Sequence, residues 1–140
     1  MKQLKLSIEP EERIVNKKIK EEFSLKNATI YGGYNLFSDY LASNGLDRLL
    51  EQGMAGMKAP WAAYSMPIVC RTLIDGYALG LRNIYQFEGI ESDPLISAKH
   101  GLDKLPDYTV LNKDLLNHFK SDDDVERLRR VKAKQVKGMY

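Results

Sequence analysis

The side chains best placed by type and spacing to do chemistry lie in PLISAKHGLDKLPDYTVLNKDLLNHF, residues 94–119. Asp93-Pro94 opens a short helix that Gly101 stops. GLDKLP is a brief link, and Asp107 caps a second helix. In that second helix Tyr108, Leu111, Leu115 and Phe119 recur at spacings of 3, 4 and 4, which marks its buried side. Thr109, Asn112, Lys113 and Asn117 then share the outward face. Asn pairs bidentately with adenine, Lys reaches guanine or phosphate, and Thr touches either. The pattern is that of a helix-turn-helix, whose second helix enters the major groove. In the first helix Ala98 is the small residue expected to face the second. Two helices meeting through a short loop also occur as plain packing, and spacing alone favours that blander reading.

A second feature is the basic run RLRRVKAKQVK, which supplies Arg127, Arg129, Arg130, Lys132 and Lys134, with Lys104 in the link ahead. Such a run tracks phosphates, each contact adding salt-sensitive affinity through counterion release. A solvated helix face is the commoner meaning of a charge run. Asp122, Asp123 and Asp124 precede it. Consecutive residues on a helix point about 100° apart, so these three suit a helix start rather than one metal ion.

Other candidates carry less. Asp39, Asp75 and Asp93 are scattered, and no spacing gathers them. His100 and His118 have no partner at metal-ligand spacing, and His118 reads as a boundary residue. Cys70 falls on an apolar helix face and reads as a small hydrophobe. Gly32-Gly33 and Gly53–Gly56 lack the context of a phosphate loop, and Ser65 that of a nucleophile elbow. Trp61 and Tyr64 read as partly buried beside a loop. No acid, base or nucleophile is gathered for catalysis, and no cofactor is expected in this chain.

The elements that must position these groups are helical. Leu36, Phe37, Tyr40 and Leu41 fall on one face of a first helix, which Asn44-Gly45 stops. Leu46, Leu49 and Leu50 begin a second, ending near Gly53. Ser65 and Pro67 open the clearest one, with Met66, Val69, Cys70, Leu73, Ile74, Tyr77 and Leu81 as its apolar stripe. Gly76 and Gly80 within it either allow close contact or weaken its end. NIYQFE adds a turn of helix, and a last helix follows Asp122. In the N-terminal arm LKLSIE alternates apolar and polar and predicts a short strand, which residues 14–30 either join or leave for a short helix. The fold expected is mainly α: a compact multi-helix domain with a helix-turn-helix-like pair and a short β element at most. Its parts are an arm over 1–30, a helical domain over 31–120 and a basic C-terminal helix over 121–140.

At 140 residues the chain suits one domain with tails. With 44% apolar and 29% charged residues it has the composition of a soluble globular protein. One cysteine excludes an internal disulfide and a cysteine-rich zinc site. No apolar run reaches the ~18 residues of a membrane span. The start lacks a signal-peptide core. An intracellular location is expected.

The succession YGGYNLFSDYLASNGLDRLL, then SMPIVCRTLIDGYALGLRNIYQFEGIESDPLISAKHGLDKLPDYTVLNKDLLNHF, resembles the N-terminal region of DDE-type transposases of bacterial insertion sequences. The likeness spans about 30–119 and consists of many moderately specific positions. It implies an α-helical region that recognises the terminal inverted repeats of double-stranded DNA and assists dimer formation. It implies a bacterial, nucleoid-associated, cytoplasmic protein. In that family an RNase H-like domain follows, with three carboxylates for two divalent metal ions. Those carboxylates have no counterpart here, so Mg2+ is expected only for that further domain, and the chain reads as a truncated or excised region without strand-transfer chemistry of its own. Family members carry an arginine near Asn112-Lys113, where Lys113 is the nearest cation here. The alternative is an interaction or inhibitory fragment that pairs with the full-length transposase.

Overall fold

A computed structural model of the protein describes residues 12–22, 29–59, 61–119 and 121–138. The described residues hold six α-helices and one 3-10 helix. They are α1 (Tyr34–Ser43), α2 (Leu46–Gly53), α3 (Met66–Ala78), the 3-10 helix (Ile84–Gly89), α4 (Pro94–Lys99), α5 (Tyr108–His118) and α6 (Asp122–Gly138). The fold is mainly α, as the periodicities predict. LKLSIE lies outside the described residues. Residues 14–22 form neither strand nor helix. They run irregularly against the helices because their backbone polar groups bond to side chains and to one helix end instead of to a partner strand.

Local chemistry accounts for most helix ends. The Asp93 carboxylate accepts from the amides of Leu95 and Ile96, and Pro94 takes the first position, where a missing N–H costs nothing. Asp107 caps α5 by accepting from the Val110 amide. Asn83 and Gln86 form a reciprocal capping box on the 3-10 helix. The acids Asp122, Asp123 and Asp124 occupy the first turn of α6, where the helix dipole favours them.

α3 ends at Ala78, earlier than its stripe suggests. Gly80 adopts φ +101°, and the Leu81 amide bonds back to the Gly76 carbonyl at 3.0 Å, closing the helix. Gly76 has the opposite role. A Cβ built there would fall 2.1 Å from the Phe87 ring, so glycine is what admits the 3-10 helix against α3.

The core gathers Tyr34, Leu50, Met54, Met66, Val69, Phe87, Ile90, Ile96, Leu105 and Leu111. α1 packs on α2 and α4, α2 also on α3 and α6, and α5 on α3 and the 3-10 helix. The helices of the helix-turn-helix-like pair thus have different principal neighbours, α1 for α4 and the 3-10 helix and α3 for α5. Their link is clamped by the Leu105 amide, which donates to the Glu91 carbonyl at 3.1 Å.

Three expected faces are rotated. In α1 the buried residues are Tyr34, Ser38 and Leu41, whereas Leu36 and Tyr40 face solvent. In α3 the fully buried side includes Arg71, Thr72 and Asp75, whereas Tyr77 is exposed. In α4 Ala98 is exposed and Ser97 and Lys99 point inward. In each case a polar or aromatic–hydroxyl group takes the buried position because partners await it there.

Candidate functional site

Two groupings of polar side chains stand out, one buried and one exposed. The buried one is centred on Arg71, which is 1% exposed. Its Nε donates to Asp75 Oδ1 at 2.9 Å, one turn along α3, and its other nitrogens donate to Asp47 of α2 and Ser38 of α1. The Tyr34 hydroxyl donates to Asp75 Oδ2 at 2.5 Å and lies 2.5 Å from His100 Nε2. His100 Nδ1 meets the Val15 carbonyl at 2.8 Å. Ser38 donates on to Asn16 in the arm. Asp75 and His100 are therefore brought together, contrary to the scatter expected from their positions, because α1, α3 and the end of α4 converge.

Burial would lower the Arg71 guanidinium, but Asp75, Tyr34 and Asp47 outweigh it and hold it above its ordinary value. Burial, then the charge of Asp75, raises the Tyr34 phenol. Burial also raises the Asp47 carboxyl despite Arg71 beside it, which fits an Oδ2 that is buried with no partner among the described residues. Beside the network is a cleft lined by Ile14, Val15, Ile68, Arg71, Thr72 and His100, with about 10 Å³ of free space, room for one water. Apart from Asp47 Oδ2, these donors and acceptors are committed to one another. The arrangement clamps four helices and the arm. A satellite clamp places the buried Lys99 ammonium on Asn35 at 2.6 Å and Asp39 at 2.7 Å.

A signal for this cluster was present. MPIVCRTLIDGYA has two charged residues only, of opposite sign and four apart. A surface helix carries more charge on its outer face, so a lone i,i+4 pair in an apolar helix marks a pair turned inward.

The exposed grouping is the outer face of α5. Thr109, Asn112, Lys113 and Asn117 are all exposed, while Leu111 is fully buried and Leu115 and Phe119 half-buried. The Thr109 hydroxyl donates to Asp107 Oδ1 at 2.5 Å, so its oxygen is already oriented. Asp114 is the sole carboxylate within α5. It points inward, 2.7 Å from Lys58 Nζ, and is 5% exposed. The outer face presents amides, a hydroxyl and a cation, with the Asp107 carboxylate bonded to Thr109 at its N-terminal end. Leu116 also shares the exposed side.

α6 anchors through Val131, 7% exposed and set against Gly53 of α2. Arg129, Arg130, Lys132 and Lys134 are exposed around it. Arg127 is half-buried and donates to the Ala55 carbonyl at 3.3 Å, which draws it out of the free cation set. Lys104 is exposed, with Glu91 3.7 Å away. Arg129 has Glu126 at 4.0 Å, an exposed pairing of little strength. Trp61 is 86% exposed, not partly buried as its apolar neighbours suggest, whereas Tyr64 is half-buried and donates to the Lys104 carbonyl.

Among the described residues no group of three or more His, Cys, Asp and Glu side chains could hold a metal ion. No helix among them is long and apolar enough to cross a membrane. No family model matches the chain, and no curated protein or solved structure matches it either.

Proposed function

We propose that this chain is a DNA-binding region of a transposase, one that recognises the ends of the element and leaves strand transfer to a catalytic domain elsewhere. The observation that carries the reading is the outer face of α5. Thr109, Asn112, Lys113 and Asn117 are exposed together while Asp114 is withdrawn onto Lys58. A helix that reads bases needs donors and acceptors outward and no unpaired carboxylate facing the phosphates. Exposed Arg129, Arg130, Lys132 and Lys134 on α6 would hold the backbone, and Lys104 would add to them. The partner is double-stranded DNA carrying terminal inverted repeats, in a bacterial nucleoid, with two copies engaged when ends are paired. No cofactor is assigned to this region, and Mg2+ belongs to the chemistry of the other domain.

Fluorescence anisotropy tests the reading. The probes are a duplex flanking the gene and a shuffled duplex, each at about 50 and 200 mM salt. Five cations on the phosphates, Lys104 with the four on α6, give a slope of about −4.5 in log affinity against log salt. Affinity then falls roughly five hundredfold between those concentrations. Tighter binding to the flanking duplex supports end recognition. No binding at low salt sinks the proposal.

A second reading has one observation in its favour. Leu36 and Tyr40, four apart on α1, are 76% and 57% exposed. An apolar pair of that kind suits a protein contact, as in a fragment that dimerises with full-length transposase and inhibits it. Sedimentation velocity decides it: a concentration-dependent dimer lost in Leu36→Glu supports it, and a monomer at all concentrations removes it.

A further inference from the structure

His100 ends α4 at the point where the arm crosses the buried network, and it is 7% exposed. Its ring nitrogens face different neighbours. Nδ1 lies 2.8 Å from the Val15 carbonyl of the arm. Nε2 lies 2.5 Å from the Tyr34 hydroxyl and 3.2 Å from Asp75 Oδ2, and those two oxygens are 2.5 Å apart. Together these contacts set a proton count. A carbonyl only accepts, so Nδ1 must carry a hydrogen. Tyr34 has one proton, which burial and then the charge of Asp75 keep on the phenol. Asp75 Oδ1 takes the Arg71 Nε–H, which favours an ionised carboxylate. Tyr34 therefore donates to Asp75, and Nε2 must donate as well. All four contacts are satisfied at once only when the ring holds both hydrogens, as an imidazolium.

A neutral ring has one hydrogen for its two sides. On Nδ1, it keeps the Val15 bond but leaves Nε2 bare. The single Tyr34 proton is then shared between Nε2 and a carboxylate that is 1% exposed, where no water replaces the missing donor. On Nε2, it keeps Tyr34 and Asp75 and leaves Nδ1 bare against the Val15 carbonyl. Val15 is 43% exposed, so its carbonyl hydrates once the arm lifts. A buried carboxylate short of a donor costs more than a carbonyl returned to water. We infer that His100 is a proton-operated latch: charged, it holds the arm across α1, α2 and α4, and neutral, it lets Val15 go and opens the cleft over Ile68, Arg71 and Thr72. The latch goes beyond the DNA-binding reading and does not depend on it. The hold is complete below about pH 6.5, where a detached imidazole is also charged, and weakens as pH rises past that value. Around the ring and the arm, the described residues add Asp39, Asp47, Glu51, Lys99 and, beside Gly101, Lys17. Glu51 and Asp39 fasten the arm through Ile14 and Asn16. They ionise as pH rises and tighten it, opposite in sign to the latch. Asp47 acts through Arg71 on the helices themselves, and so on the amides of α3.

Nuclear magnetic resonance of the full nitrogen-15 labelled chain, from mildly acid to mildly basic pH, tests the latch. The chain has two histidines, and His118→Asn assigns their signals. The ring nitrogen shifts of His100 give its protonation and tautomer. The Lys17 amide bonds to the Lys99 carbonyl at 2.7 Å, an acceptor that does not titrate. Its hydrogen exchange, corrected for the intrinsic rate, gives the opening constant of the arm, and the α3 amides report the body beneath. The expected results are an imidazolium at low pH, a neutral ring with its hydrogen on Nε2, and a Lys17 opening constant that rises by up to about tenfold per pH unit as the ring titrates, with no matching rise in α3. The rise persists in Glu51→Gln and is lost in His100→Gln. If circular dichroism shows His100→Gln to be unfolded, the ring shifts and the Lys17 exchange of the native chain decide alone. A neutral ring with its hydrogen on Nδ1, a Lys17 opening constant flat across the ring titration, or a rise that disappears in Glu51→Gln overturns the latch.

Discussion

Replacing Arg71 with Met tests whether the buried network holds the fold together. Met matches the aliphatic stem of Arg71 but not its guanidinium, so packing along the stem is kept while the charge is lost. Asp75 would retain the Tyr34 hydroxyl and His100. Among the described residues Asp47 would retain nothing, since Arg71 is its ion partner and its Oδ2 has none. Stranding one buried carboxylate and weakening a second costs about 3–5 kcal/mol. A domain of this size has roughly 5–15 kcal/mol in total, so the melting temperature should fall by about 10–15 °C. The loss should also depend on pH. Burial already raises the Asp47 carboxyl above its ordinary 3.8, so the folded state takes up a proton more readily than the unfolded one. Its ionisation therefore removes stability as pH rises from 3.8 through the raised value, and without Arg71 that window extends further upward. Thermal and urea melts of the native chain, Arg71→Met and Arg71→Met/Asp47→Asn across acid to neutral pH measure all three effects. The double variant should recover about half of the loss at neutral pH. A single variant costing under about 1 kcal/mol, or a double no more stable than the single, would refute the reasoning.

Further outcomes follow from the packing and the charges. Gly76→Ala pushes a methyl into the Phe87 ring and should cost about 1–3 kcal/mol in a urea melt, with a smaller loss in Gly76→Ala/Phe87→Leu. The Cys70 thiol is pushed up to about 12, by burial first and by Asp114 next, so a thiol reagent at neutral pH should react at the global unfolding rate. Rapid labelling of the folded chain would contradict that. Asp39 has the opposite sign to Asp47. Its hydrogen bond from Lys99, then that from Asn16, lower its carboxyl, so its contribution is present above pH 3.8 and is lost as pH falls through the lowered value. Asp39→Asn should flatten the acid limb of the melting curve; an unchanged limb would show that Lys99 draws no stability from it.

The starts of α4, α5 and α6 were legible because they rest on local signals: Asp93-Pro94, Asp107 and the three aspartates of α6 act within one turn of their own chain. The outer face of α5 was legible for the same reason, since Leu111 and Leu115 fix its rotation. The buried network was not. Arg71, Asp75, Asp47 and His100 are hidden from a hydrophobicity pattern, which places charges outward and so turned α3 and α1 by about one residue. Apart from the i,i+4 pair of Arg71 and Asp75, their burial depends on partners distant in sequence, such as Asp47 for Arg71 and His100 for Tyr34. Trp61 failed in the other direction. An apolar ring among Ala and Pro reads as partly buried, whereas the structure leaves it 86% exposed.

The arm has a bearing on the order in which this chain folds. Ile14, Val15 and Lys17 bond to Glu51, His100 and Lys99, the Val15 bond spanning 85 positions. The helices close over a few residues each, but this strap has no seat until α1, α2 and the end of α4 have met. On a ribosome the arm is made early, yet it must wait for residue 100 to emerge before it docks. Loop-closure entropy sets the same order in a test tube, since long-range contacts form only after the local ones that anchor them. The amides of Ile14 and Lys17 should thus exchange with solvent through detachment of the strap alone, at a lower free energy than the amides of α3 beneath it.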